Sequence, residues 1–168
     1  MGLGELIFPR ACAGCGAPGE VLCPQCRDHL RQPPYMVARP RPLGAPVYAL
    51  GPYSDIRRRI IIGMKERGNR PVREYVGAVF AAGLAHLSAR GDIPREFTLV
   101  PAPTRPRSAR ARGGDPVSAV CHAAAQHQRV GVCAALTMGQ STADQSELNA
   151  QDRCCLLYTS PSPRDQRG

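Results

Sequence analysis

The sequence predicts an α/β fold, with helices alternating with the strands of a parallel sheet, preceded by a small cysteine-rich module. Three observations support this prediction. Segments with helical and with strand character alternate from residue 47 onward, and two of the predicted helices begin at recognisable N-terminal caps. Four of the eight cysteines fall near the N-terminus in two Cys-x-x-Cys pairs.

The two cysteine pairs are Cys12-x-x-Cys15 and, after seven intervening residues, Cys23-x-x-Cys26. Each pair directs two thiolates to one centre, and two pairs complete the tetrahedral shell that Zn²⁺ prefers. Four sulfur ligands leave no position for water, so the predicted role of the metal is structural. Two disulfides or a redox pair are the alternatives to zinc. His29, just beyond the last of these cysteines, is predicted to face solvent rather than to bind the metal.

A proline-rich segment follows, with five prolines between Pro33 and Pro46. Proline is disfavoured in helix interiors and central strands, so this segment is predicted to be a linker. The next stretch, PVYALGPYS, is predicted to form a short strand that ends in a turn. Ser54 then caps a predicted helix along DIRRRIIIGMKERG. Its apolar face is expected to contain Ile56, Ile60 and Met64.

The longest predicted helix runs from Arg73 to Arg90 and ends at Gly91, a residue suited to a left-handed C-terminal cap. Its apolar positions recur at spacings of four and three residues: Val76, Phe80, Leu84 and Leu87. FTLVPAP is predicted to be a buried strand, and TRPRSARARGGD an exposed, mobile loop.

Asp115 and Pro116 are predicted to start the next helix as its N-cap and first residue. Its apolar face is predicted to contain Val117, Val120, Cys121 and Ala124, and RVGVCAALTM follows as a candidate strand. A second metal site at Cys121, His122, His127 and Cys133 is disfavoured, because the first two of these side chains point in different directions on a helix.

The strand and loop LVPAPTRPRSARARGGDPV form a candidate anion site. A loop between a strand and the N-terminus of a helix is a recurring way to hold phosphate, and arginines can clamp such an anion. The arginines concerned are Arg105, Arg107, Arg110 and Arg112. A solvated, arginine-rich surface is the alternative interpretation.

The formal charge of +9 favours polyanionic partners, either nucleotide phosphates or nucleic acid. No run of about 18 apolar residues occurs, and the start MGLGELIFPRACAGC lacks the apolar stretch of a signal peptide. We therefore predict a cytoplasmic protein without a membrane partner.

Three segments, in this order, resemble the ComF family: LIFPRACAGCG with its cysteines, YSDIRRRIIIGMKERGNRP, and LVPAPTRPRSARARGGDPV. The similarity extends through ADQSELNAQDR and covers about the first 153 residues. The resemblance implies a zinc ribbon over residues 1–32, a proline-rich linker over 33–46, and a partial type I phosphoribosyltransferase-like domain over 47–153. This domain would hold an incomplete, Rossmann-like parallel sheet.

The resemblance also implies roles for individual residues. The loop from Pro101 to Arg105 would lie against pyrophosphate, and the stretch from Arg107 to Gly114 would close over the site. The implied substrate-binding residues are Lys65, Pro103, Thr104, Arg105, Arg107, Arg110, Arg112 and Gly113. The family usually has Arg-Gly-Phe-Asn-Gln where this chain has Arg112, Gly113, Gly114, Asp115 and Pro116.

One family motif does not occur in the sequence. Type I phosphoribosyltransferases bind the ribose 5-phosphate and diol of PRPP with Asp-Asp-Val-x-Thr-Thr-Gly, whereas Asp144 and Asp152 are isolated here. Residues 154–168, CCLLYTSPSPRDQRG, resemble a translated adaptor sequence and are predicted to be a non-native, disordered tail. We therefore expect a fragment that does not itself catalyse phosphoribosyl transfer.

The complete parent protein is expected to bind PRPP or another phosphorylated ribose, with Mg²⁺ as cofactor. Family membership also suggests a link to DNA uptake in competence and to DNA-handling proteins. The alternative is a non-enzymatic zinc-ribbon protein that binds nucleic acid. It explains the positive charge and the missing acidic motif together, but it does not explain the alternation of helices and strands.

Overall fold

The computed structural model describes residues 10–38, 44–138 and 149. Five helices lie in this part of the chain: α1 (Pro24–Leu30), α2 (Asp55–Lys65), α3 (Val72–Ala89), α4 (Pro106–Ala111) and α5 (Pro116–Gln128). Four short strands accompany them: β1 (Tyr35–Met36), β2 (Tyr48–Ala49), β3 (Thr98–Leu99) and β4 (Gly131–Val132). The chain divides into two compact units, Met1–Thr137 and Met138–Gly168, and all of these elements belong to the first.

The strands form two sheets of two strands each in the described part of the chain. Strands β1 and β2 are antiparallel, with Tyr35 opposite Ala49. Strands β3 and β4 are parallel, with Thr98 opposite Gly131, and they are joined through α4 and α5. The prediction of a mixed α/β chain with a parallel pair is therefore confirmed, while the strands are shorter than predicted. Proline, which has no N–H to donate to a ladder, follows β3 at Pro101.

Helix α2 begins where its sequence predicts. Ser54 has an extended backbone, and its hydroxyl accepts a hydrogen bond from the Arg57 N–H at 3.3 Å. Ile60 and Met64 are buried on one face, and Ile56 packs against the same core. The predicted cap and apolar face are both confirmed.

Helix α3 ends at Arg90, and Gly91 follows with a φ of 79°, the left-handed conformation expected at this position. Helix α5 has Asp115 as its N-cap and Pro116 as its first residue. The Asp115 carboxylate accepts hydrogen bonds from the N–H groups of Val117 and Ser118, so the predicted cap is confirmed.

Helices α3 and α5 approach closely because two small residues face each other. A Cβ on Gly77 of α3 would lie only 2.5 Å from the Cβ of Ala123 in α5. Leu84 of α3 lies in one core cluster with Cys121 and Ala124 of α5 and with Leu99 of β3. The helices thus cover the parallel strand pair.

A second core cluster combines the cysteine-rich segment with helices α2 and α3. Its buried members are Cys12, Leu22, Cys26, Leu30, Ile60, Met64 and Val72. Arg27 adds a cation–π contact, with its guanidinium carbon 5.6 Å from the centre of the Tyr75 ring. The cysteine-rich segment therefore packs on the helical layer rather than standing apart from it.

Two predicted irregular segments contain regular structure. The stretch TRPRSARARGGD was expected to be an irregular loop, but residues Pro106–Ala111 form helix α4, none of whose residues is buried. Pro106 at the first helical position, followed by arginines and alanines, explains this short helix. In the predicted linker of residues 33–46, Tyr35 and Met36 pair with β2.

Several predicted segments lie outside the described residues. They are residues 1–9 of the predicted zinc ribbon, residues 39–43 of the predicted linker, the tail of residues 154–168 and, apart from Asn149, the part of the predicted α/β domain from 139 to 153. Asp144 and Asp152 fall in this part of the sequence. Among the helices that the structure describes, none has the length and apolar character needed to cross a membrane.

Candidate functional site

The four cysteines are positioned by a tight turn and by the start of a helix. Backbone hydrogen bonds from Gly16 to Cys12 and from Cys12 to Ala17, both 2.8 Å, close the turn that carries the first cysteine pair. Cys23 is the N-cap of α1, and Cys26 lies in its first turn. The segment thus brings two Cys-x-x-Cys pairs face to face.

The four sulfur atoms lie within 4.8 Å of one another and could hold a metal ion. The Sγ atoms of Cys15 and Cys23 are 3.7 Å apart. This separation fits a zinc ion with four Zn–S bonds of about 2.3 Å, since the edge of such a tetrahedron is about 3.8 Å. A Cβ on Gly14 would lie 2.7 Å from Cys26 Sγ, so glycine is needed directly before Cys15.

The environment of the thiols differs between Cys12 and Cys26, although both are buried. Burial raises the pKa of Cys12, but hydrogen bonds from the backbone N–H groups of Cys23, Cys15 and Gly14 outweigh it, and the pKa falls to about 6. One of these bonds joins Cys23 N to Cys12 Sγ at 3.3 Å. Burial and the neighbouring thiols raise the pKa of Cys26. Because metal ligands are thiolates, a metal that binds here displaces the remaining protons.

The cysteine-rich segment is tied to helix α2 by a small hydrogen-bond cluster. Arg57 donates from Nη2 to the carbonyl oxygens of His29 and Leu30 at 3.2 and 3.3 Å, at the end of α1. His29 Nε2 lies 2.8 Å from Ser54 Oγ, the hydroxyl that caps α2. The expectation that His29 faces solvent was wrong, because this half-buried ring pairs with the cap.

Arg57 was not identified from the sequence, where it is one of three consecutive arginines. Burial lowers its pKa below the usual range of arginine. Gly51 makes room for it, because a Cβ at that position would collide with the guanidinium. The carbonyl oxygens at the end of α1 that accept its hydrogen bonds belong to residues far from Arg57 in sequence. No local sequence pattern therefore identifies this arginine.

The candidate anion loop follows β3. Pro103, Thr104 and Arg105 connect β3 to α4, while Arg107 and Arg110 are exposed on α4. Arg112 is the C-cap of α4 and is half-buried. Gly113, with a φ of 64°, occupies the left-handed region, which suits glycine.

Two contacts hold this loop in place. Thr104 Oγ1 donates to Asp115 Oδ1 at 2.8 Å, so the same carboxylate anchors the loop and caps α5. Arg112 donates to both carboxylate oxygens of Glu66, at 3.0 and 3.1 Å. Glu66 directly follows Lys65, the last residue of α2, so this ion pair brings the loop to the end of α2. The N–H groups at the start of α5, which were predicted to be available to a phosphate, donate to the Asp115 carboxylate instead.

Two further arginines, neither of them predicted from the sequence, adjoin the loop. Arg73, only 9% exposed, donates from Nη2 to the Arg112 carbonyl oxygen at 3.2 Å. The Arg70 guanidinium occupies the space that a Cβ on Gly113 would need. Arg70 lies just before α3, and Arg73 lies in its first turn. Both are distant from the loop in sequence, since 39 positions separate Arg73 from Arg112.

The second metal site considered at Cys121, His122, His127 and Cys133 does not form. Within residues 10–38 and 44–138, the only cluster of potential metal ligands is the one formed by Cys12, Cys15, Cys23 and Cys26. Cys121 is buried, whereas His122 is exposed and contacts Ser118 in the preceding turn.

Comparisons with protein-family models, curated proteins and solved structures gave no match to this chain.

Proposed function

We propose that this chain is a ComF-type protein in which a structural zinc ribbon supports a phosphoribosyltransferase-like domain that binds phosphorylated ribose. The observation that carries the proposal is the position of the arginine-bearing loop. It begins where β3 ends and leads through α4 and α5 into β4, which is parallel to β3. In α/β sheets with parallel strands, ligands bind outside the carboxyl ends of the strands.

The loop has the chemistry for a diphosphate. Arg105, Arg107, Arg110 and Arg112 lie on it or on the short helix that it contains. Guanidinium groups stay charged at any working pH and can bind phosphate oxygens in a bidentate manner. The tether from Thr104 to Asp115 holds the start of the loop. We therefore assign Pro103, Thr104, these arginines, Gly113 and Lys65 to the pyrophosphate side of the site.

Zinc would have a structural role in this proposal. Cys12, Cys15, Cys23 and Cys26 supply a complete set of four thiolates, which leaves no open coordination position for a substrate. The metal would fix the start of α1, and at the other end of this helix His29 and Leu30 accept the hydrogen bonds of Arg57. The zinc ribbon would thereby support helix α2, at whose other end Lys65 lies.

The proposal for this chain is ligand binding and not catalysis. Phosphoribosyl transfer requires an anchor for the ribose diol and for Mg²⁺, and the sequence has no Asp-Asp-x-x-Thr-Thr-Gly segment to supply it. Mg²⁺ would enter with the ligand through its phosphate oxygens, because the acidic pair expected to anchor the metal in the complete parent does not occur in this sequence.

The test is calorimetric titration of the zinc-loaded chain with Mg-PRPP, with ribose 5-phosphate and with a short single-stranded DNA. We expect saturable binding of Mg-PRPP that weakens in Arg112→Gln and is retained in Arg95→Gln, an exposed arginine outside the loop. Binding of DNA that falls steeply with salt, together with no binding of Mg-PRPP, would contradict the proposal and favour the nucleic-acid-binding alternative.

A further inference from the structure

We propose that Arg70 and Arg73, at the start of α3, are ligands of the bound anion, completing a site for a diphosphate-type oxyanion around Gly113 and Gly114. The inference rests on the proposed function for its class of ligand. It adds two residues that lie far from the loop in sequence and that no motif of the loop contains.

The first observation is the state of Arg73. Its side chain is 9% exposed, and its Nε atom is buried with no hydrogen-bond partner among the described residues. Among the described residues, the one hydrogen bond that its side chain makes is the 3.2 Å contact of Nη2 with the Arg112 carbonyl oxygen. No ion pair joins Arg73 to a carboxylate in the described ranges. A buried cation without a counter-ion is costly, so a bound anion would supply the missing charge.

The second observation is the crowding of guanidinium groups around two glycines. Arg70 fills the space beside Gly113, and Arg73 Nη1 lies 3.8 Å from the position of a Cβ on Gly114. Arg112 precedes both glycines in sequence. Gly113 and Gly114 have φ values of 64° and 124°, so the chain takes a path here that side-chain-bearing residues avoid. The glycines thus allow cations from α3 and from the loop to converge.

Among the described residues, the nearby carboxylates have other partners than Arg70 and Arg73. Glu66 pairs with Arg112, while Asp115 Oδ1 accepts from Thr104 and from the first turn of α5. Neither Arg70 nor Arg73 has a carboxylate partner in residues 10–38 and 44–138. Two positive charges beside adjacent glycines favour a multiply charged anion.

Guanidinium groups, rather than the backbone, would contact this anion. The N–H groups of Gly113 and Gly114 already donate to the carbonyls of Arg110 and Ala109, at 3.1 and 2.8 Å. The side chains of Arg70 and Arg73 remain, and their planar forks match adjacent phosphate oxygens.

The experiment is titration of the full chain with inorganic pyrophosphate and, separately, with Mg-PRPP. We expect Arg70→Gln and Arg73→Gln each to weaken pyrophosphate binding by about tenfold or more, since hydrogen bonds to charged groups carry about that much free energy. Arg95→Gln is the matched control, because it removes one exposed positive charge outside the site. Circular dichroism establishes whether Arg73→Gln folds, and Arg70→Gln, at an exposed residue, tests the site in either case.

The outcomes separate this inference from the proposed function. Pyrophosphate binding that depends on Arg70, without binding of Mg-PRPP, would support the anion site and contradict the proposed function. If Arg70→Gln binds both Mg-PRPP and pyrophosphate as tightly as the unmodified chain, the proposed function is supported and the inferred anion site is overturned. If Arg95→Gln loses as much affinity for pyrophosphate as Arg70→Gln, net charge explains the loss and the anion site is overturned. If the unmodified chain binds neither ligand, both the inferred site and the proposed function are overturned.

Discussion

Arg112 donates to both carboxylate oxygens of Glu66, at 3.0 and 3.1 Å, and so joins the end of α4 to the residue that follows α2. The arginine side chain is 23% exposed and the glutamate side chain 57% exposed. An ion pair this exposed contributes little stability, because water and salt screen it. Its importance lies in position, since it directs an arginine of the candidate anion loop toward helix α2.

We predict that Glu66→Gln changes stability by less than about 1 kcal/mol but tightens pyrophosphate binding by up to about fivefold. The substitution removes the carboxylate that competes with the ligand for Arg112. Chemical denaturation and calorimetry measure the two effects. Glu96→Gln, which removes an exposed carboxylate elsewhere, should leave the affinity nearly unchanged. Weaker binding in Glu66→Gln would show that the ion pair positions Arg112 for the ligand instead of competing with the ligand for it.

We predict that Cys26→Ser abolishes metal binding and lowers the melting temperature by about 10 °C or more. Cys26 is 1% exposed and belongs both to the four-sulfur cluster and to the core that includes Ile60 and Val72. Metal analysis of the purified chain should find one zinc per molecule, and none in the variant. Cys133→Ser, at an exposed position outside the cluster, is the control. Full zinc content in Cys26→Ser would contradict the assignment of the centre.

We predict opposite effects for two alanine substitutions in helices. Gly77→Ala should destabilise the protein by about 1 to 3 kcal/mol, because the new Cβ would lie 2.5 Å from Ala123 Cβ and force α3 and α5 apart. Gly63→Ala in α2 should stabilise it by up to about 1 kcal/mol, since no atom of a packing neighbour lies within 4 Å of the added Cβ and alanine favours the helix. Urea unfolding of both variants tests this, and equal effects would contradict the close helix contact.

We predict that Asp115→Ala costs about 1 to 2 kcal/mol of stability through loss of the N-cap of α5. Asp115→Asn should retain most of this stability, because an amide oxygen also accepts from the N–H groups of Val117 and Ser118. Thr104→Val removes only the 2.8 Å tether to the loop and separates anchoring from capping. Thermal unfolding of the three variants tests this prediction. Equal melting temperatures of Asp115→Ala and Asp115→Asn would contradict the capping role.

We predict that stability declines as the pH rises through and above about 9, the ordinary pKa of a cysteine thiol. Burial, and then the charge of Asp115, raise the pKa of Cys121 in the folded protein. The folded state therefore holds the thiol proton more tightly than the unfolded state, which favours folding at low pH and is lost on ionisation. Cys121→Ala should show a shallower decline between pH 8 and 10 in urea titrations. An unchanged slope would contradict the shift.

Much of the local structure follows from the sequence. Ser54 and Asp115 cap their helices and Gly91 ends α3, because capping is decided by residues within three or four positions of one another. The two Cys-x-x-Cys pairs converge for a similar reason, since only seven residues separate them. The prediction of an irregular loop before Asp115 was wrong in part, because Pro106 and the alanines that follow favour a helical turn.

The caps, the helix faces and the four-cysteine cluster could be predicted because they depend on short separations along the chain. Three contacts instead follow from the packing of the helices: His29 with Ser54, Arg57 with the end of α1, and Arg73 with the Arg112 carbonyl oxygen. These pairs are 25 to 39 residues apart. Which arginine reaches which acceptor depends on how the packed helices place them, and in a chain this rich in arginine no local pattern distinguishes one from another.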